Sequence, residues 1–206
     1  NKLKNMTISW YGFNYFKIQN TKKAVVFNPY SLDKTTKFPK TKADVVLFSD
    51  PEKIKDAKYH KEAFIIDSPG EYEHSDIFVY GRQINGNIIY LLVFENIKIA
   101  FLGEYGHQEL TNSDLGLVEG ADVLILPVGG NDLTTAKEAR KLISQIEPRV
   151  VIPSCHAAGS GKLNLDNVSD FIKEFGVKAQ EEEKFKLSKK DLPQEDIKLI
   201  VLKTQV

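Results

Sequence analysis

Two histidines and one cysteine are the side chains best suited to metal binding or nucleophilic chemistry in this 206-residue chain. His107 and His156 each follow a predicted strand, and loops after buried strands are where protein sites are commonly built. No histidine pair has the His-x-His or His-x3-His spacing of a local zinc motif. A metal site would therefore need ligands from distant strand ends. His60 and His74 lie in polar stretches, and we expect both at the surface.

Cys155 directly precedes His156, an order that suggests a nucleophile and its base. Consecutive side chains of an extended segment point to opposite faces, so the two residues are poorly placed for proton transfer. We expect Cys155 to be buried and unreactive. As the single cysteine it excludes an internal disulfide, which favours a reducing compartment and a cytoplasmic location.

Two glycine-containing segments are predicted to be turns. Gly159-Ser160-Gly161-Lys162 resembles the end of a phosphate-binding loop, but that motif requires glycine where His156 stands and Ser or Thr where Leu163 stands. Gly129-Gly130 follows Pro127, and glycines there predict a strand-to-helix connection with a close backbone approach.

Charge and composition limit the classes of partner. Lys+Arg and Asp+Glu both number 28, and hydrophobic residues make up 42% of the chain. The absence of a basic surplus argues against a nucleic-acid partner. Membrane partners are not expected, because no apolar run approaches the roughly 20 residues that cross a bilayer. We expect residues 6–206 to form one domain, and residues 1–5, before the only methionine, to be an extension added by cloning.

Short strands dominate the first half of the predicted structure. β-Branched and aromatic residues predict strands at residues 7–11, 15–19, 24–27, 43–48, 63–67, 77–84, 88–94 and 97–102. Asn85-Gly86 and Glu95-Asn96 are predicted hairpin turns, so this region is an antiparallel meander. Residues 69–73 are either a sharp corner or a site loop.

Strands and helices alternate in the second half. Strands are predicted at residues 121–126, 150–152 and 197–202, and helices at residues 135–146 and 165–175. Thr135 and Glu138 form a capping box for the first helix, and Gly176 ends the second. Residues 181–183 are predicted to be a solvated loop. Strand-rich segments followed by alternating elements predict two packed sheets with helices outside.

Several segments, in their order and spacing from Met6 onward, together resemble the metallo-β-lactamase superfamily, in particular its short predicted zinc-dependent hydrolases. The matching segments are Trp10-Tyr11-Gly12 with Phe16, Asn28-Pro29-Tyr30, and residues 43–49, 69–73, 102–107, 121–130 and 151–156. The resemblance implies an α/β fold, a four-layer αββα sandwich of two mixed sheets with outer helices. It also implies a metal site at the edge that the two sheets share.

Most positions that the resemblance implies as metal ligands carry other residues here. Active relatives place a His-x-His-x-Asp-His cluster directly after the strand that ends at Ser49. In this chain the corresponding positions are Asp50, Glu52, Ile54 and Lys55. An ammonium and an aliphatic group thus replace two of the donors, which argues against a pair of metals.

The remaining ligand positions are also changed, except for one. Phe13 stands where histidine is common, Asn28 where aspartate is usual, and Glu104 at the bridging aspartate. His156 is the one usual ligand that is unchanged. Zinc prefers imidazole and thiolate, whereas carboxylate-rich sets suit harder ions such as manganese.

Two hypotheses follow, and we favour the first. The first is a pseudoenzyme without a cofactor, a binding or assembly module that forms a homo-oligomer or assembles with an active relative. The second is an active hydrolase with one divalent metal, zinc or manganese, held by His156, Glu104, Asp50 and His107. Glu52 or Glu104 would then be the general base for a metal-bound water.

Overall fold

The computed structural model describes residues 5–32, 38–107, 109–158 and 163–206. The strands in these residues are β1 (Met6–Trp10), β2 (Phe16–Gln19), β3 (Ala24–Phe27), β4 (Val45–Leu47), β5 (Phe64–Ile66), β6 (Gly70–His74), β7 (Ile77–Ile84), β8 (Asn87–Phe94), β9 (Ile97–Phe101), β10 (Val123–Pro127), β11 (Val150–Ser154), β12 (Ala179–Glu182), β13 (Phe185–Leu187) and β14 (Lys198–Leu202). The α-helices are α1 (Asn112–Val118), α2 (Ala136–Ile146) and α3 (Val168–Phe175).

The strands form two mixed sheets. One has the order β13-β1-β2-β3-β4-β5, and the other has the order β12-β14-β11-β10-β9-β8-β7-β6. In the first sheet β3, β4 and β5 run parallel, and its other pairs are antiparallel. In the second sheet β6 to β9 form an antiparallel meander, and β9, β10, β11, β14 and β12 run parallel. The predicted sandwich of two mixed sheets is confirmed.

Alternating side chains along the strands build the core between the sheets. On β8, Tyr90 and Leu92 face the other sheet, while Ile89 packs beneath the helices. On β4, Val45 faces the inter-sheet core and Val46 faces the outside of its sheet. A strand buried on both faces is therefore a nearly continuous apolar run, as predicted for residues 43–48. Burial of each such side chain contributes about 1.5–3 kcal/mol.

The two outer layers of the sandwich differ in their secondary structure. Helices α2 and α3 cover the eight-stranded sheet through residues such as Ile143 and Phe171. Over the six-stranded sheet, the described residues provide loops and one short 3₁₀-helix, Pro51–Asp56, packed around Phe48. None of the described helices is long and apolar enough to span a membrane.

Several elements predicted from short local patterns are confirmed. Asn85 and Gly86 have φ values of 47° and 86°, as a tight hairpin turn requires. Helix α2 begins after Thr135, whose side chain and that of Glu138 form the predicted capping box. Helix α3 ends at Gly176, which is left-handed with φ 76°.

Other elements differ from the prediction. Helix α3 begins at Val168 rather than at residue 165, because Asn167 caps it. Residues 70–74 are edge strand β6, which also contains His74. Edge strand β12, residues 179–182, includes two of the three residues predicted as a loop at 181–183. Both strands are polar and pair along one side, so backbone pairing with a neighbour outweighs side-chain preference. Helix α1 and strand β13 were not predicted, and the predicted turn at residues 159–162 lies outside the described residues.

Candidate functional site

The candidate site lies where the carboxyl ends of parallel strands from both sheets meet. Parallel strands bring the residues that follow them to one edge of a sheet. In the six-stranded sheet these strands are β3 and β4, and in the other sheet they are β9, β10 and β11. We call this edge the rim, and its residues are Asn28, Tyr30, Ser49, Asp50, Gly103, Glu104, Cys155 and His156.

Asn28 and Ser49 bind each other through two hydrogen bonds. The Asn28 side-chain amide donates to Ser49 Oγ at 2.7 Å, and the Ser49 backbone N–H donates to Asn28 Oδ1 at 2.9 Å. Both residues are buried, and the backbone of Asn28 is left-handed with φ 48°. Asparagine tolerates this conformation better than most residues do. The two loops of the six-stranded sheet thus satisfy each other's polar groups at the rim.

Tyr30 and Glu104 join the two sheets. The Tyr30 hydroxyl donates to Glu104 Oε1 at 2.6 Å, and the Glu104 backbone N–H donates to Asn87 Oδ1 at 3.0 Å. Burial raises the pKa of the Glu104 carboxyl; the Tyr30 hydrogen bond opposes this rise, and the charge of Asp50 adds to it. Burial and the Glu104 charge raise the pKa of Tyr30 well above its ordinary value, so Tyr30 remains a donor.

Gly103 allows this close contact between the sheets. It is left-handed with φ 63°, and a Cβ atom there would lie 2.5 Å from both Ser49 Cβ and Asn87 Oδ1. Any other residue would push the Glu104 loop away from Ser49. Glycine is therefore required at this position for both conformation and space.

The residues at the expected His-x-His-x-Asp-His positions form a short helix instead of a ligand cluster. Asp50 caps the 3₁₀-helix Pro51–Asp56, and its Oδ1 accepts the Glu52 backbone N–H at 3.0 Å. Glu52 and Lys55 are exposed, and Ile54 packs on the outer face of the six-stranded sheet. Of these residues, Asp50 is the one whose charge acts on Glu104.

His156 and Cys155 are both buried. The His156 ring is buried against Trp10, with ring centroids 4.6 Å apart. Burial lowers the pKa of His156 to about 4, so the imidazole is neutral at neutral pH. Cys155 is fully buried as predicted, and burial and the charge of Glu104 raise the pKa of its thiol. The thiol is therefore protonated at neutral pH, in agreement with the predicted unreactive cysteine.

His107 occupies a different part of the surface. Its Nδ1 lies 3.1 Å from Glu138 Oε1, and its Nε2 contacts the Asn131 carbonyl. It lines a cavity of about 120 Å³ together with Glu138 and Lys141, whereas Glu104 lines another cavity. The structure brings Asp50 and Glu104 together but leaves His107 engaged at the start of α2.

A cavity of about 230 Å³ opens beside Glu104, and we call it the Glu104 cavity. Its described lining residues are Phe13, Leu32, Glu104, Gly130, Asn131, Asp132, Leu133, Leu163, Asn164 and Leu165. Phe13 stands where the resemblance places a histidine, and here it packs against Leu133 and Cys155. An apolar cluster thus forms one wall of the cavity.

The rim residues do not fit the imidazole-rich metal site of the family. Asn28 and Ser49 are bonded to each other, and one oxygen of Glu104 is bonded to Tyr30. The neutral ring of His156 packs on an indole. Within the part of the chain that the structure describes, no group of three or more His, Cys, Asp or Glu side chains is arranged to hold an ion.

Sequence reasoning missed Tyr30, Ser49 and Asn87 as site residues. Tyr30 and Ser49 lie in segments that carried the family resemblance, directly after predicted strands, and that position was the available signal. Asn87 lies in the hairpin of β7 and β8, where the sequence pattern predicted a turn and gave no sign of its contact with Glu104.

Comparisons with known proteins agree with this fold. A family model described as the beta-lactamase superfamily domain matches residues 7–155. A predicted zinc-dependent hydrolase of the metallo-beta-lactamase superfamily from Thermotoga maritima is 28% identical, with a TM-score of 0.81, over 97% of this chain and 100% of that one. The metallo hydrolase Igni18 from Ignicoccus hospitalis is 14% identical, with a TM-score of 0.65, over 97% and 95% of the two chains.

A third structure shares the fold alone. The metallo-beta-lactamase fold protein YhfI from Bacillus subtilis is 10% identical, with a TM-score of 0.62, over 99% of this chain and 98% of that one. The family match covers well over half of the chain, and the Thermotoga structure matches it along nearly its whole length. The chain therefore belongs to the metallo-beta-lactamase superfamily.

Proposed function

We propose that this protein is a non-catalytic member of its superfamily that binds a ligand or partner at the rim. One observation carries the proposal: the rim side chains bond to one another. Asn28 bonds to Ser49, and Tyr30 bonds to Glu104 across the sheets. A metal would have to break these contacts before it could use the same atoms.

The chemistry of the replaced side chains supports the same conclusion. Phe13 contributes an apolar ring to the Glu104 cavity and has no donor atom for a metal. Lys55 adds a positive charge to the helix after β4, and a positive charge opposes binding of a dication. If the site holds no metal, as we propose, it lacks the means to lower the pKa of a bound water for metal-dependent hydrolysis.

Folding does not depend on the lost ligands. The core between the sheets contains large buried side chains such as Trp10, Phe27 and Phe101. Some rim polar groups are satisfied by neighbouring protein groups, as in the Asn28–Ser49 pair. A chain of about 200 residues buries enough surface to be stable on its own.

Turnover assays test the proposal. Bis(p-nitrophenyl) phosphate and dihydrocoumarin are suitable probes for phosphodiesterase and lactonase activity, each with added zinc, manganese or chelator. We expect rates equal to those of buffer in every case. Turnover that needs metal, is lost in Glu104→Gln and persists in Glu181→Gln, an exposed control on β12, would overturn the proposal.

The single-metal hydrolase is the second candidate, and one electrostatic interaction favours it. Asp50 lies close enough to Glu104 for its charge to raise the pKa of that carboxyl. Two neighbouring carboxylates attract a hard divalent ion such as manganese. Under this alternative, manganese would restore turnover to chelator-treated protein, and Asp50→Asn would abolish it.

A further inference from the structure

We propose that the Glu104 cavity binds a small, largely apolar molecule that carries one protonated amine. This inference names the ligand of the proposed binding site and rests on the proposed function. The cavity measures about 230 Å³, roughly the space of seven or eight waters at ~30 Å³ each. That volume suits a short amine, because it is smaller than the ~300 to 1,000 Å³ of drug-sized pockets.

Gly130 lines the cavity, and Gly129 precedes Gly130; both glycines allow close packing beside the cavity. A Cβ at Gly129 would lie 1.9 Å from the Cys155 carbonyl oxygen, and a Cβ at Gly130 would lie 2.1 Å from Asp166 Oδ2. The Asp166 backbone N–H donates to the Gly129 carbonyl at 2.8 Å. The Gly129-Gly130 segment therefore packs closely against Asp166, and the neighbouring Leu165 lines the cavity. The predicted close approach at Gly129-Gly130 thus has a defined role.

Most of the described lining side chains are apolar. The apolar residues are Phe13, Leu32, Leu133, Leu163 and Leu165. Leu32 is 36% exposed, so apolar surface is accessible from solvent at this cavity. An alkyl group entering the cavity would gain affinity from each methylene group that it buries.

The charged groups among the described lining residues are acidic. Glu104 and Asp132 are carboxylates, and the described lining residues include no Lys or Arg. Asp50 adds negative charge close to Glu104, and Lys53 is the positive charge that acts on this carboxyl. The balance of these charges favours a cation over an anion or a neutral molecule.

Glu104 has one oxygen available for such a cation. Tyr30 donates to Oε1, and among the described residues no side chain or backbone group donates to Oε2. Burial makes the charged carboxylate costly unless it is paired. An ammonium group would provide this partner through a charge-assisted hydrogen bond, while its alkyl chain contacts the leucines.

Three probes with the same carbon skeleton test the inference on the full-length protein. They are 3-methylbutylamine, 3-methylbutan-1-ol and 3-methylbutanoate, titrated at neutral pH into chelator-treated protein. Binding is followed by shifts of the methyl NMR signals of Leu163 and Leu165. We expect the amine to bind at least about tenfold more tightly than the alcohol, and the acid not to bind.

Variants test which side chains produce the preference for the amine over the alcohol. Glu104→Gln keeps an acceptor for Tyr30 but loses the charge, so we expect it to remove the amine preference while alcohol binding persists. Leu165→Ala should weaken both the amine and the alcohol, and the exposed control Glu181→Gln should change neither. Equal affinity for amine and alcohol, a preference that survives Glu104→Gln, or no binding at millimolar concentration would overturn the inference. Metal-dependent turnover would overturn the proposed function alone, because amine binding is measured without metal.

Discussion

The Tyr30 hydroxyl donates to Glu104 Oε1 at 2.6 Å and thereby connects the loop after β3 to the loop after β9. The two residues lie 74 positions apart in the chain. Their contact ties the two sheets together at the edge where metal-dependent relatives would carry ligands. Under the proposed function, this contact between side chains takes the place of a shared ion, and its contribution to stability is measurable.

Tyr30→Phe is predicted to lower the free energy of unfolding by about 1–3 kcal/mol, because a buried carboxylate loses a hydrogen bond. The pKa of Glu104 should rise further in this variant, since the Tyr30 hydrogen bond lowers it. Urea unfolding at neutral pH measures the change. Tyr59→Phe is the control, because among the described residues the Tyr59 hydroxyl has no hydrogen bond, and it should change stability by less than about 0.5 kcal/mol. Equal effects of the two substitutions would contradict the role of the Tyr30–Glu104 contact.

Gly103→Ala is predicted to lower the free energy of unfolding by about 2–5 kcal/mol. The new methyl group would meet Ser49 and Asn87 at 2.5 Å in a left-handed backbone. Gly120→Ala is the matched control: Gly120 has φ 68°, but a Cβ added there would have no atom within 4 Å. Gly120→Ala should lower the free energy of unfolding by only about 1–2 kcal/mol, because it introduces backbone strain alone. Thermal unfolding measures both variants. Equal losses of stability in Gly103→Ala and Gly120→Ala would show that the sheets are not closely packed at Gly103.

His156 should make stability depend on pH between 6.5 and about 4. Burial lowers its pKa from 6.5 to about 4, so the unfolded chain takes up a proton in this range while the folded chain does not. The contribution of the neutral His156 ring to the free energy of unfolding is complete above pH 6.5 and is lost as the pH falls to about 4. His156→Phe keeps an aromatic ring beside Trp10 and removes this contribution, which is about 3 kcal/mol. Urea unfolding of both proteins across this range measures it, and parallel pH profiles would contradict it.

His107 should titrate above its ordinary pKa because it contacts the Asn131 carbonyl and the Glu138 carboxylate. The stabilisation from its proton is complete below the unfolded pKa and is lost as pH rises through the raised pKa. Glu138→Gln retains the capping-box geometry of α2 but removes the charge. We expect the His107 pKa measured by NMR to fall in this variant. An unchanged titration would show that the Glu138 carboxylate does not act on the imidazole.

Sequence patterns were sufficient wherever the structure depends on neighbours along the chain. The Asn85-Gly86 turn and the Thr135 capping box depend on contacts within four residues, and both were correct. Burial of both faces of β4 follows from its continuous apolar run, and β8 is a largely buried apolar run as well. These features allowed the fold class to be predicted.

The rim could be located but not described from the sequence. Its residues were found as segments that follow strands, whereas their contacts depend on how two sheets pack. The orientation of His156 depends on Cys155, whose left-handed φ of 51° interrupts the alternation of side chains after β11. Residue types near a strand end do not reveal such a turn. Edge strands β6 and β12 were missed because they pair on one side and carry polar residues.

The metal content of the purified protein tests the central claim most directly. The full-length chain would be produced in medium containing zinc and manganese, purified without chelator, and analysed by inductively coupled plasma mass spectrometry. We predict far less than one ion of any transition metal per chain. A stoichiometric ion that survives gel filtration and disappears in Glu104→Gln would contradict the claim that side-chain contacts have replaced the metal at the rim.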